Sequence, residues 1–160
     1  PAREMDLVSP SVMRQLIRVV APYYDHILMD SPAGLGMGFR SAAAAAQRGL
    51  VVATPDAVSL RGCEKARRAL EEEGISQQRL IISRFSAAAF RAQKIYRDLD
   101  DVIDTAGIRL IGVVPEDPCV PLRESAGEPL PEKSPAALAF ARMAARLEGE
   151  TIPLAPLRTF

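Results

Sequence analysis

The residues best suited to chemistry are an aspartate and the small residues behind it. Asp30 directly follows a short apolar run and precedes Ser31-Pro32-Ala33-Gly34. An acidic side chain at the carboxyl end of a buried parallel strand points into the crevice where open α/β sheets bind ligands, and it suits Mg²⁺ or a water bound to Mg²⁺. The small residues permit a loop that rearranges around a terminal phosphate. The alternative role for Asp30 is that of a helix N-cap.

A sheet is needed to position these residues, and the chain has the pattern of one. Short apolar runs alternate with stretches of helical spacing, which is typical of a parallel sheet with helices on its faces. The alanine run 42–46 is predicted to lie in one further, tightly packed helix. The predicted strands are residues 26–29, 49–53, 79–83 and 109–114, and the other predicted helices are residues 10–21, 59–73, 98–105 and 134–148.

The composition favours one globular domain in a reducing compartment. Of 160 residues, 48% are apolar, and 20 basic residues balance 20 acidic ones. No field of one sign therefore covers the molecule, and nucleic-acid binding is not expected. Cys63 and Cys119 lie far apart without metal-ligand spacing, which favours free thiols and a cytoplasmic location. No apolar run is long enough to span a membrane.

Four short motifs occur in an order that points to a family. They are YDHILMDSPAG around Asp30, TPD followed by SLR near residue 56, IGVVPED in the last predicted strand, and GEP at residues 127–129. With these motifs the sequence resembles the MinD/ParA P-loop ATPases over nearly its whole length. The GEP motif and the sequence Ile-Pro-Leu at residues 152–154 favour the MinD branch, which implies an ATPase acting in placement of the division septum.

The resemblance implies a fold and a domain boundary. Residues 1–148 would be the carboxy-terminal part of one P-loop NTPase domain, an incomplete three-layer αβα fold with a parallel sheet of about four strands. Residues 149–160 would form an irregular tail, because two prolines in it prevent a helix. The tail leaves no room for the basic amphipathic helix with which MinD proteins bind membranes, so direct membrane binding is not expected.

The resemblance also assigns roles to matching positions. Asp30 would be the Walker B carboxylate, acting on Mg²⁺ through a water, and residues 31–34 would form switch II. The adenine base of ATP would contact Ser83-Arg84, where the family has Asn-Arg. Pro115-Glu116-Asp117 would line the adenine pocket. Serine offers one hydroxyl where asparagine offers an amide donor and an acceptor, which leaves the base specificity open.

Partners are implied in the same way. The intact protein would be a homodimer that binds a division-inhibitor or topology-factor protein through the helix that carries Arg61, Gly62 and Glu64. Family members commonly have an acidic residue directly after this arginine, whereas the present chain has Gly62. Either partner binding is weakened or redirected, or Glu64 replaces the missing carboxylate.

The sequence contains no phosphate-binding loop of the form G-x-x-x-x-G-K-[ST]. Its three lysines are Lys65, Lys94 and Lys133, and none follows a glycine. ATP and Mg²⁺ are the cofactors of the intact family protein, but we expect these 160 residues alone neither to bind ATP tightly nor to hydrolyse it. In P-loop folds the strand that leads into the loop lies beside the Walker B strand, so residues 26–29 would have an unsatisfied edge.

Three interpretations of the function therefore compete. The chain is a part of a MinD-type ATPase whose activity belongs to the intact protein, a non-catalytic truncated paralogue that binds partners, or a fragment of a DNA-partitioning ParA or flagellar-number ATPase. A basic stretch with interleaved aromatic residues, residues 84–97, would suit DNA contact in the last case, although a surface loop also explains it.

Overall fold

The computed structural model describes residues 8–154 of the chain, and its helices and strands alternate as expected for an α/β fold. Three strands form one sheet in the order β1-β2-β3, and β2 and β3 pair in parallel. The predicted fold class is thus confirmed. The elements are α1 (Pro10–Val20), α2 (Met37–Ala43), β1 (Gly49–Ala53), α3 (Ala57–Glu72), β2 (Gln78–Phe85), α4 (Ala87–Gln93), α5 (Leu99–Ala106), β3 (Leu110–Pro115), α6 (Cys119–Ala126) and α7 (Pro135–Leu147).

Side-chain caps fix where several helices begin. The hydroxyl of Ser9 accepts a hydrogen bond from the backbone of α1, and Ser134 does the same for α7, each with a proline at the first helical position. Asp98 caps α5, which ends at Gly107 in the left-handed conformation. These groups satisfy backbone N–H donors that a helix leaves unpaired, so the helices begin close to their predicted positions.

The chain divides into two compact units, of which the first comprises residues 8–49 and 66–78 within the described range. In this unit α1 contacts α2, but α1 has no buried residue. The end of α3 packs more tightly, because a Cβ atom at Gly49 would lie 2.8 Å from Leu70 Cδ1. The buried Gln78 amide then donates to the carbonyls of Arg67 (3.1 Å) and Ile75 (2.9 Å), which closes the turn after α3.

The second unit, residues 50–65 and 79–154 in the described range, holds most of the buried apolar side chains. Here α7 packs on β3 through Met143, which lies against Gly112, with Ile111, Val114 and Ala139 in the same cluster. The five largest fully buried side chains of the chain belong to this unit: Phe85, Leu60, Leu80, Ile82 and Val102.

Residues 26–29 differ from the prediction, since no strand ladder in the described part of the chain includes them. Leu28 is 85% exposed, whereas the pattern predicted burial. A strand that is apolar on both faces needs neighbours that pair with its backbone and cover both faces, and here Leu28 is left largely uncovered. The sheet consequently has three strands rather than about four.

The alanine run is also less helical than predicted. The helix α2 ends at Ala43, and the next residues form tight turns in which Ala45 and Ala46 donate to carbonyls three residues earlier. The chain must reverse here because β1 begins at Gly49. Two short helices were not predicted, α4 and α6. The division into residues 1–148 and a tail stays a prediction, and residues 155–160 lie outside the described residues.

The close packing of α7 on β3 makes Gly112 sensitive to substitution. A methyl group there would overlap Met143 Cγ and lie 2.5 Å from its Sδ. Gly112→Ala is therefore expected to lower the free energy of unfolding by about 1–3 kcal/mol in urea titrations. The control is Gly62→Ala in α3, where no atom lies within 4 Å of the new methyl group. It should raise stability by up to about 1 kcal/mol, and equal effects of the two changes would contradict this packing.

Candidate functional site

Asp30 lies at the rim of a cleft of about 320 Å³ in the first unit. Its carboxylate is exposed, and the loop behind it turns at Gly34, whose φ of +94° is accessible to glycine at little cost. Ser31 donates its hydroxyl to the Pro32 carbonyl at 3.3 Å, while Pro32 and Ala33 are exposed. An accessible carboxylate on a glycine-containing loop is compatible with the switch role predicted for residues 30–34, which stays a prediction.

The cleft beside Asp30 is lined mainly by apolar side chains but contains one buried hydroxyl. Met13 of α1 and Met29 contribute to the lining, and Ser41 of α2 is 2% exposed. Among residues 8–154 the Ser41 Oγ has no hydrogen-bond partner. No group of three or more histidine, cysteine, aspartate or glutamate side chains in this range could hold a metal ion.

The base side of the predicted site lies in the second unit, where β2 ends in a bulge. Ile82 pairs with Val113 and Phe85 with Pro115, so β2 uses one more residue than β3 over this stretch. Arg84 accommodates the extra residue with a φ of +52°, a left-handed conformation that is costly for a side chain with a Cβ atom. Strain of this kind is concentrated at functional sites, and here it turns a cation out of the sheet.

The bulge brings Arg84 to the end of the neighbouring strand. Its guanidinium lies 3.3 Å from the Glu116 carboxylate, and both side chains are more than half exposed. Because the pair is exposed, its contribution to stability is small. The Glu116 amide donates to the Phe85 carbonyl at 2.9 Å, and Ser83 lies half-buried next to Arg84. Three of the predicted base-side residues, Ser83, Arg84 and Glu116, are thus neighbours.

The Asp117 carboxylate is hydrogen-bonded to backbone amides. Its carboxylate accepts hydrogen bonds from the amides of Cys119 (2.9 Å) and Ala136 (3.2 Å), and these bonds hold the pKa of Asp117 below its usual range. The side chain is 8% exposed, so it ties the turn after β3 to the first turn of α7. A ligand at this loop would meet Glu116 and the buried Pro115 first. The direct adenine contact predicted for Asp117 stays a prediction.

The predicted partner surface forms part of α3 in the second unit, where Arg61, Gly62 and Glu64 are all exposed. The segment before it caps the helix. Asp56 accepts hydrogen bonds from the amides of two residues in the first turn and from the Thr54 hydroxyl at 2.5 Å. The Thr54 bond is the main reason that the pKa of Asp56 is lowered. The motif TPD therefore fixes the direction in which α3 leaves β1.

One important residue, Arg146, is not predictable from the sequence, because nothing local to it gives a signal. Arg146 of α7 donates to the Ile111 carbonyl at 2.6 Å and to the carbonyls of Ile152 (2.9 Å) and Pro153 (2.7 Å). Desolvation lowers the pKa of this guanidinium. It binds β3 to the start of the tail, which fixes where the chain leaves the fold.

The three lysines lie in different parts of the second unit. Lys65 is in α3, Lys94 ends α4 with a φ of +53°, and Lys133 precedes the cap of α7. No helix in residues 8–154 is long and apolar enough to cross a bilayer.

Comparisons with known proteins give a consistent likeness, although no family model matches the chain. The chain is 36% identical over 161 residues to a MinD relative of Guillardia theta and 34% identical over 154 residues to the septum site-determining protein MinD of Synechocystis. The matches include 99% and 94% of the chain but only 60% and 58% of these relatives. The resemblance to MinD is confirmed, for a partial region of that protein.

Solved structures give the same result. The MinD cell division protein of Aquifex aeolicus is 30% identical with a TM-score of 0.85, and the alignment includes 92% of this chain and 64% of that one. A MinC:MinD complex from Aquifex aeolicus has a TM-score of 0.83 at 30% identity. A MinD of Pyrococcus horikoshii complexed with Mg-ADP, at 24% identity and a TM-score of 0.76, supports the fold.

The role of Asp117 predicts a dependence of stability on pH. Asp117→Asn should destabilise the chain at neutral pH. An amide side chain has one oxygen in place of two, so it cannot accept both backbone hydrogen bonds that Asp117 accepts. A carboxyl group with a lowered folded pKa stabilises fully above its unfolded pKa of about 3.9 and loses this contribution as the pH falls through the folded value. The difference in urea midpoint between the two proteins should be constant above about pH 5 and shrink below about pH 4. The exposed neighbour supplies a control, Glu116→Gln, which should change the midpoint little.

Proposed function

We propose that this chain supplies the switch and base-binding parts of a MinD-type ATPase that acts in placement of the division site. The observation that carries the proposal is the match to MinD relatives over nearly all of the chain, at 36% identity for the first of them. The positions of Asp30 on an open cleft and of Arg84 and Glu116 at adjacent strand ends are compatible with it. Adjacent strand ends are where α/β sheets bind ligands.

On the switch side, Asp30 is the residue that would hold Mg²⁺, through a water. A single exposed carboxylate suits this indirect contact. When bound, Mg²⁺ would neutralise charge on the phosphates of ATP. Asp30 would orient the bound water, and the loop that turns at Gly34 would rearrange with the state of the nucleotide.

On the base side, the ends of β2 and β3 would bind adenine. Ser83 offers a hydroxyl, while Arg84 and Glu116 offer a planar donor and an acceptor. Asp117 supports this surface indirectly, since its carboxylate holds the loop against α7. The replacement of the amide of the family by Ser83 removes one paired donor and acceptor, so discrimination between adenine and other purines should be weaker than with asparagine.

Phosphate binding has to come from another segment. Phosphoryl transfer depends on positioning and on charge neutralisation. The sequence contains no loop of the form G-x-x-x-x-G-K-[ST], whose glycines and lysine would supply both. The ATPase that we propose is therefore a protein in which the present chain works together with a phosphate-binding loop, in the cytoplasm and as a homodimer.

A division inhibitor of the MinC kind is the proposed partner. The support is the MinC:MinD complex among the similar structures, together with the exposed surface of α3 around Arg61 and Glu64. Gly62 leaves this surface without a side chain at its centre.

The second candidate function is a partner-binding paralogue without ATPase activity. It is favoured by the retention of the α3 surface in a chain that has no phosphate-binding loop among its residues. Turnover by the chain fused to a segment with a phosphate-binding loop separates the two candidates, because only the ATPase proposal predicts it.

The ATPase proposal predicts that activity appears when the missing part of the site is supplied. The chain alone should show no ATP turnover above a blank, whereas its fusion to the portion of Synechocystis MinD outside the match should hydrolyse ATP. In the fusion, Asp30→Asn should lower kcat about 10- to 100-fold, as loss of an outer ligand contact does. Asp25→Asn, a nearby exposed aspartate, is the control and should leave kcat unchanged. A fusion that folds and binds Mg-ATP but loses nothing on Asp30→Asn would reject the assigned role.

The partner proposal predicts an effect of charge reversal on α3. Arg61→Glu should weaken binding of the fusion to a MinC protein about tenfold in calorimetry, equivalent to about 1.4 kcal/mol. Arg142→Glu, which reverses an exposed charge on α7, should not change the affinity. If both variants bind MinC as the parent does, the partner uses another surface.

A further inference from the structure

The base side of the proposed site presents an ion pair whose two members face solvent. Arg84 Nη2 lies 3.3 Å from Glu116 Oε1, and the two side chains are 73% and 55% exposed. A pair this exposed adds little to stability. The backbone nevertheless holds both residues in place, since Arg84 has a φ of +52° at the bulge of β2 and the Glu116 amide donates to the Phe85 carbonyl. A strained position that contributes little to stability is suited to recognition of a ligand.

The pair places a hydrogen-bond donor beside an acceptor at the ends of adjacent strands. A guanidinium only donates, and a carboxylate only accepts, and each has positions left for further bonds. The half-buried Ser83 adds a hydroxyl that can rotate to donate or to accept. All three residues belong to the second unit. A planar ligand that carries an acceptor next to a donor along one edge therefore satisfies Arg84 and Glu116 together.

Both purines have such an edge, with the two groups in opposite order. Guanine has the acceptor O6 beside the donor N1–H, whereas adenine has the donor amino group N6 beside the acceptor N1. With guanine, Arg84 donates to O6 and Glu116 accepts from N1–H. With adenine, Glu116 accepts from the N6 amino group and Arg84 donates to N1. The exposure of the two side chains lets them exchange places along the edge. Neither purine then leaves a charged group of the pair without a partner.

We propose that the base site formed by Ser83, Arg84 and Glu116 accepts guanine nucleotides about as well as adenine nucleotides. The inference rests on the proposed function for the location of the base and goes beyond it in the range of nucleotides bound. A site rejects an analogue strongly only when the analogue leaves buried polar groups of the site unpaired. Arg84 and Glu116 are exposed and can pair with either purine, so strong rejection of guanine is not expected.

The test titrates the 160-residue chain with AMP and with GMP at millimolar concentrations and follows the backbone amide resonances by NMR. We expect both nucleotides to shift the amides of residues 83–86 and of Glu116, with Kd values within about threefold of each other. Ribose 5-phosphate is the control for binding through the phosphate alone and should leave these amides unshifted.

The variant Arg84→Met tests the assigned contacts. It removes the donor but keeps a Cβ atom, so the cost of the left-handed backbone is retained. Glu116 can then accept from N1–H and the N2 amino group of guanine together, whereas with adenine its second oxygen faces the acceptor N1. The ratio of the AMP Kd to the GMP Kd should rise about tenfold. Arg142→Met, at an exposed arginine of α7, is the matched control and should leave the ratio unchanged.

Several outcomes would overturn the inference. They are shifts with AMP alone, no shifts with either nucleotide, equal shifts with ribose 5-phosphate, and an unchanged ratio in Arg84→Met. The proposed function is read separately, from ATP turnover by the fusion. Turnover by the fusion together with shifts from AMP alone would reject the inference and retain the ATPase. Matched binding of AMP and GMP without turnover would support the inference and reject the ATPase.

Discussion

Hydrogen bonding of the strand backbone is the constraint on which the rest of this structure depends. A buried strand is stable only where neighbours take up its N–H and C=O groups, because unpaired groups away from water are costly. The strands β1, β2 and β3 meet this condition and form the sheet on which α7 packs. Residues 26–29, which have a similarly apolar sequence, form no strand ladder in the described part of the chain, and Leu28 stays exposed.

Local signals were enough to predict most of the helices and three of the strands. Ser9-Pro10, Ser134-Pro135 and Gly107 act within one turn of the helices they delimit, so their effect can be read from adjacent residues. The failures concern partners that are distant in sequence. Whether residues 26–29 pair depends on another strand, and the helix α2 ends early because β1 begins a few residues later. Composition indicates neither whether residues 26–29 pair with another strand nor where the helix α2 ends.

The candidate site shows the same division. The sequence predicts Asp30 and the strand ends as site positions, and these stay predictions, but it could not show which bonds Asp117 makes. That carboxylate accepts a hydrogen bond from an amide 19 residues away, which ties the loop after β3 to α7. The bulge at Arg84 and the clamp formed by Arg146 on three carbonyls likewise arise only once the strands are aligned.

Because the sequence contains no phosphate-binding loop, nucleotide affinity tests the proposed function most directly. Calorimetric titration of the 160-residue chain with Mg-ATP is the measurement. Because the phosphate contacts supply most of the charge neutralisation, the account predicts binding no tighter than a Kd of about 1 mM. Binding with a Kd of about 1 μM that is abolished by Asp30→Ala would contradict it, since these residues would then hold the phosphates by themselves.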